Sequence, residues 1–294
     1  MTRPARWFIV LILAALALPA GAETPEQTKA KGTAPETTVL PKPGLPLNSS
    51  PNALSANASL LMVKAERDKY WLNAKTEIYK STLELIAQRE TELDRGLSFS
   101  ILTRGNPTRK QIALTFDDGP HPAYTPQLLK VLKDNGVKAT FFVVGEQAEK
   151  YPELIKAEVA AGHSIGNHTY DHVSLIKIPQ EYVGTEIKAC GEVLERIIGK
   201  PVHIFRPPGG VYDRQVAETS EALGYKMILW TDDPGDYASP GSNVIETRTL
   251  DHVTNGGIIL LHDGIQQTVD VLPQILKYLK GKGYEFVTIE QMIK

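Results

Sequence analysis

Short apolar runs alternate with amphipathic stretches from about residue 108 onward. The apolar runs predict strands at Gln111–Phe116, Ala139–Val144, His163–Asn167, Ile204–Arg206, Met227–Trp230, Gly257–Leu261 and Phe286–Thr288. The helical spacing predicts helices at Pro126–Asn135, Pro152–Ala161, Pro179–Ile198, Gln215–Leu223 and Val269–Lys280. Alternation of this kind indicates parallel βα units, and near-continuous apolar strands are expected where both faces of a sheet are covered. About seven strands favour an α/β barrel over a small open sheet.

The first 22 residues carry the pattern of an export signal. Arg3 and Arg6 precede an apolar run from Trp7 to Leu18, and Ala20 and Ala22 mark a small-residue cleavage site. The run is short for a membrane span, so we predict a signal peptide over residues 1–22, with an uncleaved anchor as the alternative. An exported protein (periplasmic, cell-envelope or secreted) is expected, without stable membrane insertion once the signal is cleaved.

Two further segments precede the alternating region. Residues 23–54 are rich in Pro, Thr, Lys, Ser and Asn, which predicts a disordered spacer. From Ser55 to Leu93 the apolar residues recur loosely at helical spacing, and Gly96 is placed to cap a helix. We therefore expect a helical extension over residues 55–107 ahead of a main domain over residues 108–294. The extension is predicted to pack on the main domain, with a partner-binding or spacer helix as the alternative.

Composition narrows the classes of partner. Apolar residues make up 42% and charged residues 22% of the 294 residues, and the formal net charge is -2. Without a basic excess, nucleic acid is not expected as a partner. The single cysteine, Cys190, excludes an intrachain disulfide and is predicted to be a small buried hydrophobic residue.

Polar residues with catalytic or metal-binding potential follow the apolar strands. They are Asp117, Asp118, His168, His172, Arg206, Asp233, Asp236 and His262. In a parallel barrel all the strands end on one face, so residues far apart in sequence meet there. The pattern predicts one polar cleft at the carboxyl ends of the strands.

Within this set, the residue types indicate a metal centre. Two histidines four residues apart, His168 and His172, can bind one cation, and Asp118 is the natural third ligand. Two imidazoles and one carboxylate leave open positions for water or substrate. Ligation would keep Asp118 ionised and leave its neighbour Asp117 as a general base toward metal-activated water.

Five motifs together resemble the polysaccharide deacetylases (carbohydrate esterase family 4, the NodB-homology domain). They are Thr115–Pro120, His168–His172, Arg206–Gly210, Asp233–Tyr237 and Leu260–His262, in family order and at family-like spacing. The resemblance covers about residues 108–292. It implies a distorted (β/α)7-type barrel, here with an N-terminal helical extension, and a divalent metal, with zinc preferred and cobalt or manganese as alternatives.

The resemblance also implies roles for the residues of the centre. Asp118, His168 and His172 would be the metal ligands. Asp117 would be the base, and His262 the general acid that protonates the departing amine.

Around this centre, the resemblance implies supporting roles. Arg206 would orient Asp117, and Asp236, with Asp233 as the alternative, would orient His262 and tune its basicity. A backbone N–H of the turn around Gly209 would help to hold the oxyanion, and Leu260 would line the pocket for the acetyl methyl group.

Two positions depart from the family pattern. The third motif has Gly209 where the family usually has tyrosine, and the fourth ends in Tyr237 instead of tryptophan. A backbone donor survives the first change, but an aromatic wall does not. Both positions lie on the rim that would grip the sugar, so they bear on substrate identity more than on the chemistry.

The predicted function is that of an exported metal-dependent hydrolase. It would remove N-acetyl groups from an N-acetylglucosamine-type polysaccharide (peptidoglycan, a chitin-like polymer or an exopolysaccharide). Three alternatives remain: an O-acetyl esterase acting on acetylated xylan, a non-catalytic glycan-binding module, and a serine esterase. The serine esterase rests on Ser164, which lies in a match to the motif Gly-x-Ser-x-Gly. A nucleophile elbow requires a strand before the serine and a helix after it, whereas here a helix precedes and a strand follows.

Overall fold

A computed structural model describes residues 67–75 and 79–294 of the chain. The predicted signal peptide, the predicted spacer and the start of the predicted helical extension lie outside these residues. Among the helices that are described, none combines the length and the apolar character needed to cross a membrane.

The barrel contains eight strands in the described part of the chain, all paired in parallel. They are β1 (Ile101–Leu102), β2 (Gln111–Asp117), β3 (Thr140–Val143), β4 (Ser164–Asn167), β5 (Ile204–Phe205), β6 (Lys226–Ile228), β7 (Gly257–His262) and β8 (Glu285–Val287). Their order in the sheet is β1-β6-β5-β4-β3-β2-β7, and β8 pairs with β2. The chain beyond β6 meets β7 through a parallel bridge between Asp232 and Ile259, so the curled sheet closes on itself.

Helices surround this sheet. They are α1 (67–74), α2 (Thr82–Asp94), α3 (Thr125–Asp134), α4 (Gly145–Lys150), α5 (Pro152–Ala160), α6 (Gln180–Ile198), α7 (Arg214–Ala222), α8 (Ser242–His252), α9 (Gln266–Gly281) and α10 (Ile289–Met292). Every residue of β3, β4 and β7 is buried, as expected for strands covered on both faces. The predicted fold class, a distorted barrel of parallel strands with surrounding helices, is confirmed.

Several short elements were not predicted from the sequence. β1 lies before residue 108 and has only two residues, too few for a recognisable alternation. It nevertheless pairs with β6, so the barrel sheet begins at Ile101. Helix α8 buries only Ile245 and Thr249, and α4 is one and a half turns long, so neither produces a clear apolar stripe.

The N-terminal segment, defined as residues 67–75 and 79–94, packs on the barrel. Trp71, Ala74 and Leu85 are buried in the same apolar core as the barrel strands. Its second helix begins after Ser81, whose hydroxyl accepts a hydrogen bond from the Glu84 N–H while the Glu84 carboxylate accepts one from the Ser81 N–H. This capping box is the local signal that a new helix starts at Thr82.

The predicted cap at Gly96 is present. Gly96 has a φ of 72°, its N–H donates to the Leu93 carbonyl, and the Leu97 N–H donates to the Glu92 carbonyl. A left-handed residue in this position satisfies the last carbonyls of the helix, and glycine adopts it without strain.

We predict that Leu85→Ala lowers the free energy of unfolding by about 2–5 kcal/mol, because the side chain is buried and its loss leaves a cavity. Leu83→Ala is the matched control on the same helix, since Leu83 is 78% exposed. Urea denaturation of both variants measures the difference. Equal unfolding midpoints would show that the segment does not contribute to the core.

Candidate active site

The candidate residues converge at the carboxyl ends of the barrel strands. Asp117 is the last residue of β2, His168 follows β4, Arg206 follows β5 and His262 ends β7. Asp117 and His262 are register partners on neighbouring strands. The cleft predicted from the sequence is therefore one place in the structure.

Asp118, His168 and His172 form a compact cluster. The Asp118 Oδ1 atom lies 3.0 Å from His172 Nε2 and 3.3 Å from His168 Nε2. One ligand atom from each residue lies within 4.8 Å of the other two, a spacing that one metal ion can bridge. Two imidazoles and one carboxylate are a donor set suited to zinc and related divalent metals.

The orientation of the His168 ring suits a cation at this cluster. His168 Nδ1 lies 2.7 Å from the carbonyl oxygen of Arg206. A carbonyl oxygen only accepts, so Nδ1 carries a proton and Nε2 is the ring nitrogen left to ligate a metal. The Asp118 Oδ1 atom is buried and faces Nε2 of both histidines. A carboxylate oxygen and two imidazole nitrogens that face one point are a ligand set for one cation, so these residues fit a metal ion.

Backbone strain is concentrated at the same cluster. Four non-glycine residues of the described chain have a positive φ, and three of them are Asp118 (72°), Thr169 (65°) and His172 (53°). Such conformations cost energy and persist where the surrounding structure enforces them, which is common at binding sites.

Two buried polar residues that the sequence did not single out hold the loop that carries both histidines. Asn167 Oδ1 accepts the Thr169 N–H at 2.9 Å. The Oε2 atom of Glu186 accepts hydrogen bonds from the N–H groups of Tyr170 and Asp171, at 3.2 and 2.9 Å. Burial raises the pKa of Glu186 to about 7. A carboxylate within the buried face of α6 was the available signal.

Asp117 is fixed by a buried ion pair. Arg206 donates from one guanidinium nitrogen to Asp117 Oδ1 at 2.7 Å and to Thr115 Oγ1 at 2.8 Å, and the Arg206 side chain is fully buried. The other carboxylate oxygen of Asp117 lies 3.6 Å from His168 Nε2. One oxygen of Asp117 therefore faces the guanidinium and the other faces the Asp118–His168–His172 cluster.

His262 is held by Asp236. Its Nδ1 lies 2.7 Å from Asp236 Oδ1, and its backbone N–H donates to Asp236 Oδ2 at 2.8 Å. Thr268, which was not predicted, also donates to Asp236 Oδ2, at 2.6 Å. Burial opposes protonation of the imidazole, but the Asp236 carboxylate outweighs it and raises the pKa of His262 to about 10.

Asp233, the alternative partner of His262, is directed elsewhere. Its Oδ1 accepts the Gly235 N–H at 2.9 Å. Asp236, and not Asp233, accepts the hydrogen bonds described for the His262 ring and backbone N–H.

Of the three predicted rim and pocket positions, Leu260 and Tyr237 lie close to His262. Leu260 is fully buried on β7, two residues before His262 and so on the same face of the strand. Gly209 has a φ of 61° in a short turn in which Gly210 N–H already donates to the Pro207 carbonyl. The ring of Tyr237 lies 5.4 Å from the imidazole of His262, centroid to centroid.

The two remaining reactive side chains, Ser164 and Cys190, are not part of the Asp118–His168–His172 cluster. Ser164 opens β4 at the end of the strand opposite to His168, with α5 before it, so the inverted context predicted for the elbow motif is present. Cys190 is buried, and burial raises the pKa of its thiol to about 12.

Comparisons with known proteins identify the family. The family described as polysaccharide deacetylase matches residues 104–228. A peptidoglycan-N-acetylglucosamine deacetylase from Bacillus cereus is 40% identical over 190 residues, which are 63% of this chain and 89% of that relative.

Solved structures extend the likeness to the fold. A peptidoglycan N-acetylglucosamine deacetylase crystallised with a hydroxamate ligand has a TM-score of 0.66 and 33% identity, covering 69% of this chain and 95% of its own. A CE4 family pseudoenzyme from Bacillus anthracis has a TM-score of 0.64 and 27% identity, covering 68% and 71%. The resemblance predicted from five motifs is thus confirmed: the chain belongs to the polysaccharide deacetylase family, carbohydrate esterase family 4.

Proposed function

We propose that the protein is an exported, metal-dependent hydrolase that removes N-acetyl groups from the N-acetylglucosamine residues of peptidoglycan. The observation that carries the proposal is a pair of opposite charges on adjacent strands: Asp117, held by Arg206, and a protonated His262, held by Asp236, flank the Asp118–His168–His172 cluster. A base and an acid on either side of one reacting centre are what amide hydrolysis requires.

Asp117 is the proposed base. Arg206 donates to Oδ1, so Oδ2, which faces the cluster, is the oxygen that accepts the proton from the attacking water. Asp118, His168 and His172 would hold the divalent metal, with zinc preferred, which when bound would polarise the acetyl carbonyl and acidify the water. Gly209 N–H is the proposed backbone donor to the oxyanion, because Pro208 has no N–H and that of Gly210 is used within the turn.

His262 is the proposed acid. Its Nδ1–H is directed to Asp236, so a protonated ring carries its second proton on Nε2. When the carbon–nitrogen bond breaks, this proton passes to the departing amine, and acetate and a free amino sugar are released. Leu260 beneath His262 is proposed to contact the acetyl methyl group.

The substrate and the location rest on the relatives. Both the Bacillus cereus relative and the crystallised deacetylase act, by name, on N-acetylglucosamine of peptidoglycan, a cell-wall polymer. The export pattern in residues 1–22 fits the same extracytoplasmic location. An O-acetyl esterase would use the same catalytic groups. Acetate release from acetylated xylan but not from peptidoglycan would support that alternative. The family also contains a pseudoenzyme, and acetate release from none of these polymers would indicate a non-catalytic role.

Asp117→Asn and His262→Ala are each expected to lower turnover by about 10² to 10⁴-fold, because each removes one proton-transfer group. Acetate release from peptidoglycan measures the loss. The fold, followed by circular dichroism, and the metal content are expected to survive in both variants, although Asp117→Asn leaves the Arg206 charge unpaired and lowers the free energy of unfolding. Near-normal release of acetate by Asp117→Asn would refute the assigned base.

His168→Ala is expected to lose the metal, because the cluster has only three protein ligands among the described residues. Elemental analysis after dialysis measures the metal per chain. His203→Ala is the control, since His203 is exposed and lies outside the cluster. If His168→Ala and His203→Ala retain equal metal, the assigned site is wrong.

Asp236→Asn is expected to move the alkaline limb of kcat/KM to lower pH. A carboxylate that raises the pKa of His262 to about 10 keeps the imidazole protonated through neutral pH, and activity falls as the pH rises through that pKa. Without the carboxylate, the pKa falls toward its ordinary value of about 6.5. Asp233→Asn is the control: the described hydrogen bond of Asp233 goes to the Gly235 N–H, and its charge acts on His262 only through space, so a smaller shift is expected. An unchanged limb in Asp236→Asn would contradict the assigned acid.

A further inference from the structure

The N-terminal segment reaches the catalytic face of the barrel at the loop of the two histidines. The indole N–H of Trp71 donates to Asp171 Oδ2 at 2.7 Å, and the Ser174 N–H donates to the Ala74 carbonyl at 2.9 Å. Trp71 also packs edge-on against Tyr182, and only 6% of it is exposed. These contacts anchor the segment beside His168 and His172.

A second anchor lies at the turn of the third motif. The Lys80 N–H donates to the Gly209 carbonyl at 2.9 Å. The next residue, Ser81, caps α2, and Leu85 of that helix is buried in the core. The backbone is therefore fixed immediately after Tyr79.

Tyr79 lies beside the proposed acid. Its ring stacks on that of Tyr237 with a centroid separation of 3.9 Å and an interplanar angle of 8°. It also meets the imidazole of His262 edge-on, with centroids 5.7 Å apart. Both tyrosines are partly exposed, whereas His262 is buried. Tyr79 and Tyr237 together form an aromatic wall on the side of the cleft that contains His262.

Chemistry places the sugar on this same side. The amine that His262 protonates is bonded to the sugar ring, so that ring must lie next to the groups that flank His262. Aromatic rings with one exposed surface provide an apolar contact for the C–H face of a sugar, while its hydroxyl groups stay in water. Gly209 brings no side chain to this rim.

We propose that Tyr79 is a substrate-contacting residue that, together with Tyr237, binds the sugar ring whose N-acetyl group is removed. The N-terminal segment is then part of the active site. Tyr79, which lies outside the five motifs, would supply an aromatic ring in place of the tyrosine that the family usually has at the position of Gly209. This inference rests on the proposed deacetylase function. If Tyr79 instead blocked the cleft as a latch, its removal would raise activity on the glycan.

The test compares two substrates in the full-length, metal-loaded protein: an N-acetylglucosamine pentamer and p-nitrophenyl acetate, which has no sugar ring. Tyr79→Ala is expected to lower the ratio of kcat/KM for the pentamer to that for the ester by roughly three- to tenfold, mainly through KM, the range that one aromatic contact supplies. Tyr79→Phe, which keeps the ring, is expected to recover most of this loss.

Tyr70→Ala is the matched control, because Tyr70 lies in the same segment but is 47% exposed. Thermal unfolding of every variant tests whether the fold survives, and Tyr79→Leu replaces Tyr79→Ala if the alanine variant unfolds. An unchanged ratio in a folded Tyr79 variant overturns the inference, and a raised ratio overturns it in favour of the latch. If the parent protein cleaves the ester but releases no acetate from the pentamer, the proposed N-deacetylase function is refuted, and the inference that rests on it is refuted with it.

Discussion

The buried ion pair between Arg206 and Asp117 is the interaction on which the rest of the site depends. The guanidinium also donates to the carbonyl of Ile228 and lies 4.1 Å from the ring centroid of Phe142, so it connects β2, β3, β5 and the end of β6. Removing one partner of such a pair leaves an uncompensated charge and costs about 3–5 kcal/mol. The same contact that holds the mouth of the barrel together therefore also directs the other carboxylate oxygen of Asp117, the proposed base, toward the Asp118–His168–His172 cluster.

A second pair, of Asp236 and His262, has the reverse arrangement. Here the carboxylate supports a cation, and the imidazole is the group proposed to act as the acid. Because Asp117 and His262 are register partners on β2 and β7, the backbone hydrogen bonds of the sheet set the separation of the proposed base and acid. Glu186 holds the strained loop that carries His168 and His172 and so fixes two of the three residues of the cluster.

Much of this was predictable from the sequence because it depends on local pattern. Seven strands followed from apolar runs, and the polar residues after them could be assigned to one face before any contact was known. The rest depends on tertiary contacts. The sequence could not choose firmly between Asp233 and Asp236, since the choice rests on which carboxylate reaches His262. Nothing in the helical pattern around Tyr79 indicated that its ring lies beside Tyr237.

The proposed activity is metal-dependent release of acetate from an N-acetylated glycan, with Asp117 as the base. Acetate release is measured from peptidoglycan, from chitin oligomers and from acetylated xylan, before and after treatment with a chelator and after zinc is added back. We expect release from an N-acetylated polymer, abolished by the chelator and restored by zinc. Release that resists the chelator but is stopped by a serine-directed phosphonate would refute the metal-dependent centre.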